Sequence, residues 1–202
     1  ILLAMCRGQG WVDGLCLPSK SACDAVYGIE LSWTCRYGLP KVLRADPGRE
    51  WDNVQLRDWA RRSGVSLEGA AGGAHWSVGG IERMVGLIKE HFTSLELEFP
   101  DLPRELTLAK AIAAHNSLSS YNGLAPCVRV LGKLPRLPSV LDDAYPATVA
   151  PVSDDQGVAR FLNLQQRARE TYVQIQASER LKRAFSRNLR SSEHRVALGD
   201  EV

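Results

Sequence analysis

The chain has 202 residues, 45% of them hydrophobic, which is enough to bury one sizeable core with a small appendage. A formal net charge of +2 excludes a uniformly basic nucleic-acid binder or membrane-surface protein. The charge is unevenly placed: residues 1–157 hold 16 Lys and Arg against 18 Asp and Glu, whereas residues 158–195 hold 9 against 3, so contact with phosphates is expected in the last quarter.

Residues 1–5 and 11–17 are short apolar runs joined by glycine-rich residues 6–10, the pattern of a β-hairpin. Ser19 or Ser21 is placed to cap a helix with Ala22, Ala25, Val26, Ile29 and Trp33 at helical spacing, stopped by Gly38 and Pro40. Residues 41–45 are expected as a short buried strand. Asp52 or Asn53 can cap a second helix, with Leu56, Trp59 and Ala60 on one face and Gly64 just past its end. Residues 65–67 read as another strand. Residues 69–79, rich in Gly and Ala, are expected as a loop leading into a long helix that buries Ile81, Met84, Val85, Ile88 and Phe92. Asp101 and Pro103 open a further helix through Leu106, Ala109, Ile112 and Ala113. Strands alternating with helices after a hairpin predict an α/β domain with a mixed central sheet.

After Pro138 the composition shifts, and residues 141–155, with Pro146 and Pro151, read as a linker. Ser153 begins a capping box for a helix over residues 156–192, with Phe161, Leu164, Ala168, Tyr172, Ile175 and Phe185 at three- and four-residue steps. Arg160, Arg167, Arg169, Arg180, Lys182, Arg183, Arg187 and Arg190 run between them. A basic amphipathic helix can contact a nucleic-acid backbone, pair with a partner helix, rest on an anionic membrane, or simply solvate its charged face.

The five cysteines form no C-x-x-C pair and have no His at zinc-ligand spacing, which suits a reducing, intracellular compartment. No apolar run approaches the roughly 20 residues that span a bilayer, so no membrane partner is expected.

Two carboxylates stand out. Asp46 follows the strand expected at residues 41–45, and 35 residues separate it from Glu82, at the expected start of the long helix. A carboxylate at a strand end and another at a helix start can converge on a divalent metal, which takes hard oxygen ligands. The bland alternative is that Glu82 merely complements the helix dipole. Asp13 reads as an ordinary exposed strand residue.

The surroundings are specific. Tyr37-Gly38-Leu39-Pro40, an apolar strand and Asp46-Pro47-Gly48-Arg49-Glu50-Trp51 resemble the Y-G-x-P, strand, D-x-G-x-E-F pattern of retroelement integrases. Gly79-Gly80-Ile81-Glu82-Arg83 resembles the G-x-x-E-R that carries that family's last catalytic Glu, at the family's 35-residue spacing. Asn116-Ser117, Gly123-Leu124-Ala125-Pro126 and Gly132-Lys133-Leu134-Pro135-Arg136-Leu137-Pro138 resemble its downstream stretches. Pro47, Val78 and Ala125 depart from its usual residues.

The resemblance implies a ribonuclease-H-like mixed sheet flanked by helices, its first strand missing, over residues 1–140, followed by the long basic helix. Residues 193–202, with Leu198-Gly199-Asp200-Glu201-Val202, look like the start of a truncated SH3-like C-terminal domain. It implies Asp46 and Glu82 as the second and third catalytic, Mg²⁺- or Mn²⁺-binding carboxylates. The Asp of the opening strand is absent, so a fragment inactive by itself is expected. Lys89, two helical turns after Glu82, is implied as a DNA contact, with Arg83 beside it; Lys89 equally suits a solvated face. His75 and Trp76, in the expected loop, could approach substrate or stack on an unpaired base; the one could equally be exposed and the other pin the loop. Arg180, Lys182, Arg183 and Arg187 are expected at nucleic-acid backbone. The implied function is integration of element DNA into target DNA by 3′-end processing and strand transfer. The implied assembly is a homo-oligomer through the core, and the implied place is the nucleus if the host is eukaryotic. The alternative is a degenerate or co-opted non-catalytic module that binds nucleic acid or protein.

Overall fold

A computed structural model describes residues 1–45, 53–69, 75–120, 123–135 and 156–186. The hairpin forms as expected: β1 (Leu2–Met5) pairs antiparallel with β2 (Val12–Leu15), with Leu2 opposite Leu15. The Ser21 hydroxyl accepts from the Asp24 N–H and caps α1 (Ala22–Ile29). The helix continues through a π-helical turn (Glu30–Thr34) into α2 (Cys35–Tyr37) and ends at Gly38, whose φ of 83° suits a residue without Cβ. The buried Ser32 hydroxyl donates to the Gly28 carbonyl at the start of the wider turn, a bond of the kind that bends helices.

β3 (Val42–Ala45) and β4 (Ser66–Gly69) run parallel, joined by α3 (Val54–Ser63). Asn53 caps α3 through the Leu56 N–H, and Gly64, at φ 69°, closes it. Two expectations fail here. β3 is not buried, since Val42 is 45% exposed and Arg44 pairs with Glu68 at 2.5 Å on the surface. The strands do not join in one mixed sheet either; among the described residues they form two separate two-stranded sheets. Both sheets still pack on one apolar cluster, where Leu2, Ile29 and Leu56 are buried with Leu43, Trp59 and Leu67 against them.

α4 (His75–Glu98) begins earlier than its apolar periodicity suggests, so residues 75–79 are helical, not loop. α5 (Arg104–Leu118) follows a short turn opened by Pro103, and α6 (Pro126–Leu131), unforeseen in the sequence, takes Pro126 in its first turn and Gly132 at φ 71° after its last. α7 (Gln156–Ser186) is 31 residues long and lies across α4 and α5. Met84, Ile88, Phe92 and Leu95 of α4, Leu108 and Ile112 of α5, and Leu164 and Ala168 of α7 make the main core. Phe161 and Phe185, expected on the buried face of α7, are 46% and 86% exposed; Phe185 lies beyond the stretch of the helix that packs on the core. The linker at 141–155, the capping box at Ser153 and residues 193–202 lie outside the described residues.

Among the ties between the hairpin and this core is a two-way hydrogen bond from one side chain. The Asn116 carboxamide accepts from the Val12 N–H at 2.9 Å and donates to the Val12 carbonyl at 2.8 Å, both buried. It presents the same donor and acceptor pair as a neighbouring strand. Asn116→Leu strands both backbone groups and should cost about 3 kcal/mol, read as a lowered urea midpoint.

α7 is held by a buried polar seam. The Tyr172 hydroxyl meets His115 Nδ1 at 3.2 Å and accepts from Gln176 at 2.8 Å, and the His91 and Tyr172 rings stand 5.7 Å apart. His91 is fully buried and neither of its ring nitrogens has a hydrogen-bond partner. Burial lowers both histidines to about 4; the Ala168 backbone offsets a little of this at His91 without reaching hydrogen-bonding geometry. A histidine held neutral in the fold takes up its proton on unfolding, so stability is complete above the unfolded pKa of 6.5 and declines as pH falls towards 4. Between pH 7.5 and pH 5.5 each should contribute about 1.3 kcal/mol of destabilisation. Urea melts at the two values should show this loss, and His91→Leu should halve it.

Candidate functional site

Of the expected metal-binding pair, the structure places one member. Glu82 is exposed on α4, eight residues into the helix. That is past the first turn, where the helix dipole acts, so the capping explanation of this carboxylate loses its basis. Asp46 lies outside the described residues, directly after Ala45, the last residue of β3. Among the described residues no group of three His, Cys, Asp or Glu side chains is arranged to hold a metal ion.

Lys89 and Arg83 are exposed beside Glu82. Seven residues separate Glu82 from Lys89, which puts the two on one helix face about 10 Å apart along the axis. The opposite side of this stretch is apolar, with Met84 and Ile88 in the core, so α4 is anchored on one side and offers a carboxylate and two cations to solvent on the other. His75 and Trp76 are the first two residues of α4 and not members of a loop.

The basic run of α7 divides in two. Towards its start, Arg160 pairs with Asp101, and Arg167 pairs with Glu98 at 2.6 Å and Glu170 at 2.8 Å, so these cations fasten the helix to the core's rim. Ile175 is the last residue of α7 to be buried. Beyond it Arg180, Lys182 and Arg183 are exposed, with Lys182 3.6 Å from Glu179 and Arg183 donating to the Glu179 carbonyl at 3.2 Å. Arg187 lies outside the described residues. The basic end of α7 thus projects beyond the core as an arm.

Asp13 overturns its sequence reading. It is 7% exposed, with both carboxylate oxygens receiving the Arg36 guanidinium, at 3.1 and 2.8 Å, and one receiving the Tyr37 hydroxyl at 2.8 Å. Burial first, then the bond to Asp13, raises the Tyr37 phenol above the usual tyrosine value. Nothing local in the sequence signals this cluster, because its acid and base lie 23 residues apart on different elements. All five cysteines are free, and burial raises the Cys16 and Cys127 thiols, which removes them as nucleophiles.

No protein-family model matches the chain. It is 31% identical over 159 residues to the Pol polyprotein of feline endogenous virus ECE1, covering 78% of this chain and 15% of that one. It is 30% identical over 141 residues to the Gag-Pol polyprotein of baboon endogenous virus, covering 69% and 8%. The chain therefore spans a small part of the length of these relatives. In structure it resembles the HTLV-2 integrase catalytic core domain, solved with magnesium, at a TM-score of 0.52 and 19% identity, covering 61% of this chain and 79% of that one. It also resembles the catalytic core domain of BIV integrase, at 0.54 and 18%, covering 64% and 84%. The fold is that of retroviral integrase catalytic cores. A third likeness, to the simian T-cell lymphotropic virus intasome in complex with a PP2A regulatory subunit, reaches a TM-score of 0.56 at 19% identity, with 73% of this chain and 52% of that one covered.

Within this integrase-type core the Asp13 cluster is structural. Arg36→Met leaves the buried carboxylate with the Tyr37 hydroxyl and the Gly14 N–H but no cation and should lower stability by about 2 kcal/mol in urea denaturation, while Arg44→Met, at an exposed pair, should cost under about 1 kcal/mol.

Proposed function

We propose that the chain is the greater part of the catalytic core of a polynucleotidyl transferase that integrates retroelement DNA, with Asp46 and Glu82 as two of its three metal-binding carboxylates. The observation that carries this reading is the position of Glu82: an exposed carboxylate past the dipole-sensitive turn of α4, sharing a face with Lys89 and separated by 35 residues from the Asp that follows β3 in the sequence. The donors fit a hard divalent cation, since both are carboxylates and Glu82 is solvent-accessible. Mg²⁺ or Mn²⁺ held there supplies charge stabilisation at the phosphodiester and activates the attacking oxygen. The chain's own residues do the rest: Lys89 and Arg83 draw the DNA backbone to the carboxylates, His75 and Trp76 lie at the same end of α4, and Arg180, Lys182, Arg183 and Arg187 hold a second stretch of DNA along the projecting arm.

Among the described residues the two half-sheets share no strand pairing yet both rest on one apolar cluster, which supports the reading that the first carboxylate is held on a further strand. With two of three carboxylates, the 202 residues by themselves are proposed to be inactive, and the working form is proposed to be a homo-oligomer acting on element ends and target DNA in the nucleus of a eukaryotic host.

Strand transfer with Mg²⁺ or Mn²⁺ tests this with three proteins: the chain, a form extended upstream by one strand, and the extended form with Glu82→Gln. Activity that arises only on extension and vanishes with Glu82→Gln supports the enzyme. If every form is inactive yet the chain still binds DNA through the α7 arm, the non-catalytic module is the correct reading.

A further inference from the structure

The seam beneath α7 holds a group that packing does not account for. His91 of α4 is fully buried, and neither of its ring nitrogens has a hydrogen-bond partner. An unpaired polar group in such a place costs stability that an apolar side chain would not. Its surroundings come from three elements. From α7, the Tyr172 ring stands 5.7 Å from that of His91, and the Ala168 backbone lies against it. From α5, His115 meets the same Tyr172 ring edge to face at 5.9 Å, and from the hairpin the Gly10 backbone bears on His115. Arg180, further along α7, is felt at the Tyr172 phenol and has the sign that repels another cation. No carboxylate is among the groups that act on either imidazole.

A proton taken up here is therefore a charge in an apolar seam without acceptor or counter-ion. Admitting water removes that cost, and the walls of the seam differ in how freely they can move. α4 and α5 are joined by a short turn and share the main core, and α5 is bonded to β2 through Asn116. α7 is the last described helix, its buried residues among those described run only from Leu164 to Ile175, and its rim ion pairs are exposed and weak. Tyr172 stands against both imidazoles, so lifting α7 uncovers both.

We propose that His91 and His115 form a proton-sensitive latch for α7: with both rings neutral the helix is seated, and protonation lifts it, with its basic arm, off α4 and α5 while those helices and the hairpin stay folded. The lifted form takes up protons near the usual histidine value of 6.5 and the seated form only at about 4, so the latch is closed above pH 6.5 and opens as pH falls towards 4. It rests on the packing of three helices and not on the carboxylate site, so it stands or falls apart from the integrase reading.

Hydrogen exchange of the 202-residue chain, followed by mass spectrometry between pH 7.5 and pH 5.5 and corrected for the intrinsic rate, tests the latch. Over that range the opening equilibrium read in α7 peptides should rise about tenfold for each histidine and about 100-fold for the pair, while peptides of α4 and α5 keep their protection. His91→Phe fills the ring's place without a titrating group, and His115→Asn keeps a polar partner for the Tyr172 hydroxyl. Each should cut the rise to about tenfold, and the two together should abolish it. The unsubstituted chain alone decides whether the opening is local, so the proposal is tested even if a variant fails to fold. Protection of α7 that does not change with pH, a rise shared equally by α4 and α5, or a rise undiminished in the folded double variant overturns it.

Discussion

The Asn116 carboxamide, closed on both polar groups of the Val12 backbone, is the bond on which the arrangement of this molecule turns. A two-stranded hairpin is marginal alone, and its outer strand carries unpaired backbone groups that water or another chain would otherwise take. By presenting a peptide-like donor and acceptor from the last turn of α5, Asn116 completes β2 at that point and fixes the hairpin against the helical core. Val12 then joins Ile88, Leu108 and Ile112 in the same apolar cluster. The Asp13 carboxylate, next along the strand, is thereby held inward, where Arg36 and Tyr37 of α2 complete it.

α5 is the hub of the packing, since β2, α4, α6 and α7 all rest on it. α4 presents one face to this hub and its other face, with Glu82 and Lys89, to solvent, so the core fixes where the backbone beneath both side chains lies. α7 is fastened to the same hub over its first five turns, by Leu164, Ala168, Tyr172 and Ile175 and by rim ion pairs, and is then released. Such exposed ion pairs add little stability, and their value here is to fix where the helix lies. The seam beneath it is less economical: two neutral histidines and a tyrosine hydroxyl pushed up to about 12 are buried where apolar residues would pack at lower cost.

The sequence by itself determined the elements that depend on near neighbours along the chain. The caps at Ser21 and Asn53, the glycines at 38 and 64, the hairpin and the apolar stripes of α4 and α7 are set by bonds and periodicities spanning a few residues, and the motif around Asp46 and Glu82 was legible for the same reason. Only the tertiary structure decided what depends on partners brought from afar. The start of α4 at His75 is not written in an apolar period, because a glycine-rich run has no stripe to read. α6 is too short to show one. Asp13 became buried because Arg36 and Tyr37 reach it across a helix, and the basic run of α7 divided into anchors and an exposed end because the acids that bind its first half belong to the end of α4 and the turn after it. Burial and charge pairing are properties of the folded surface, and a linear sequence carries only the half of each pair that it happens to be reading.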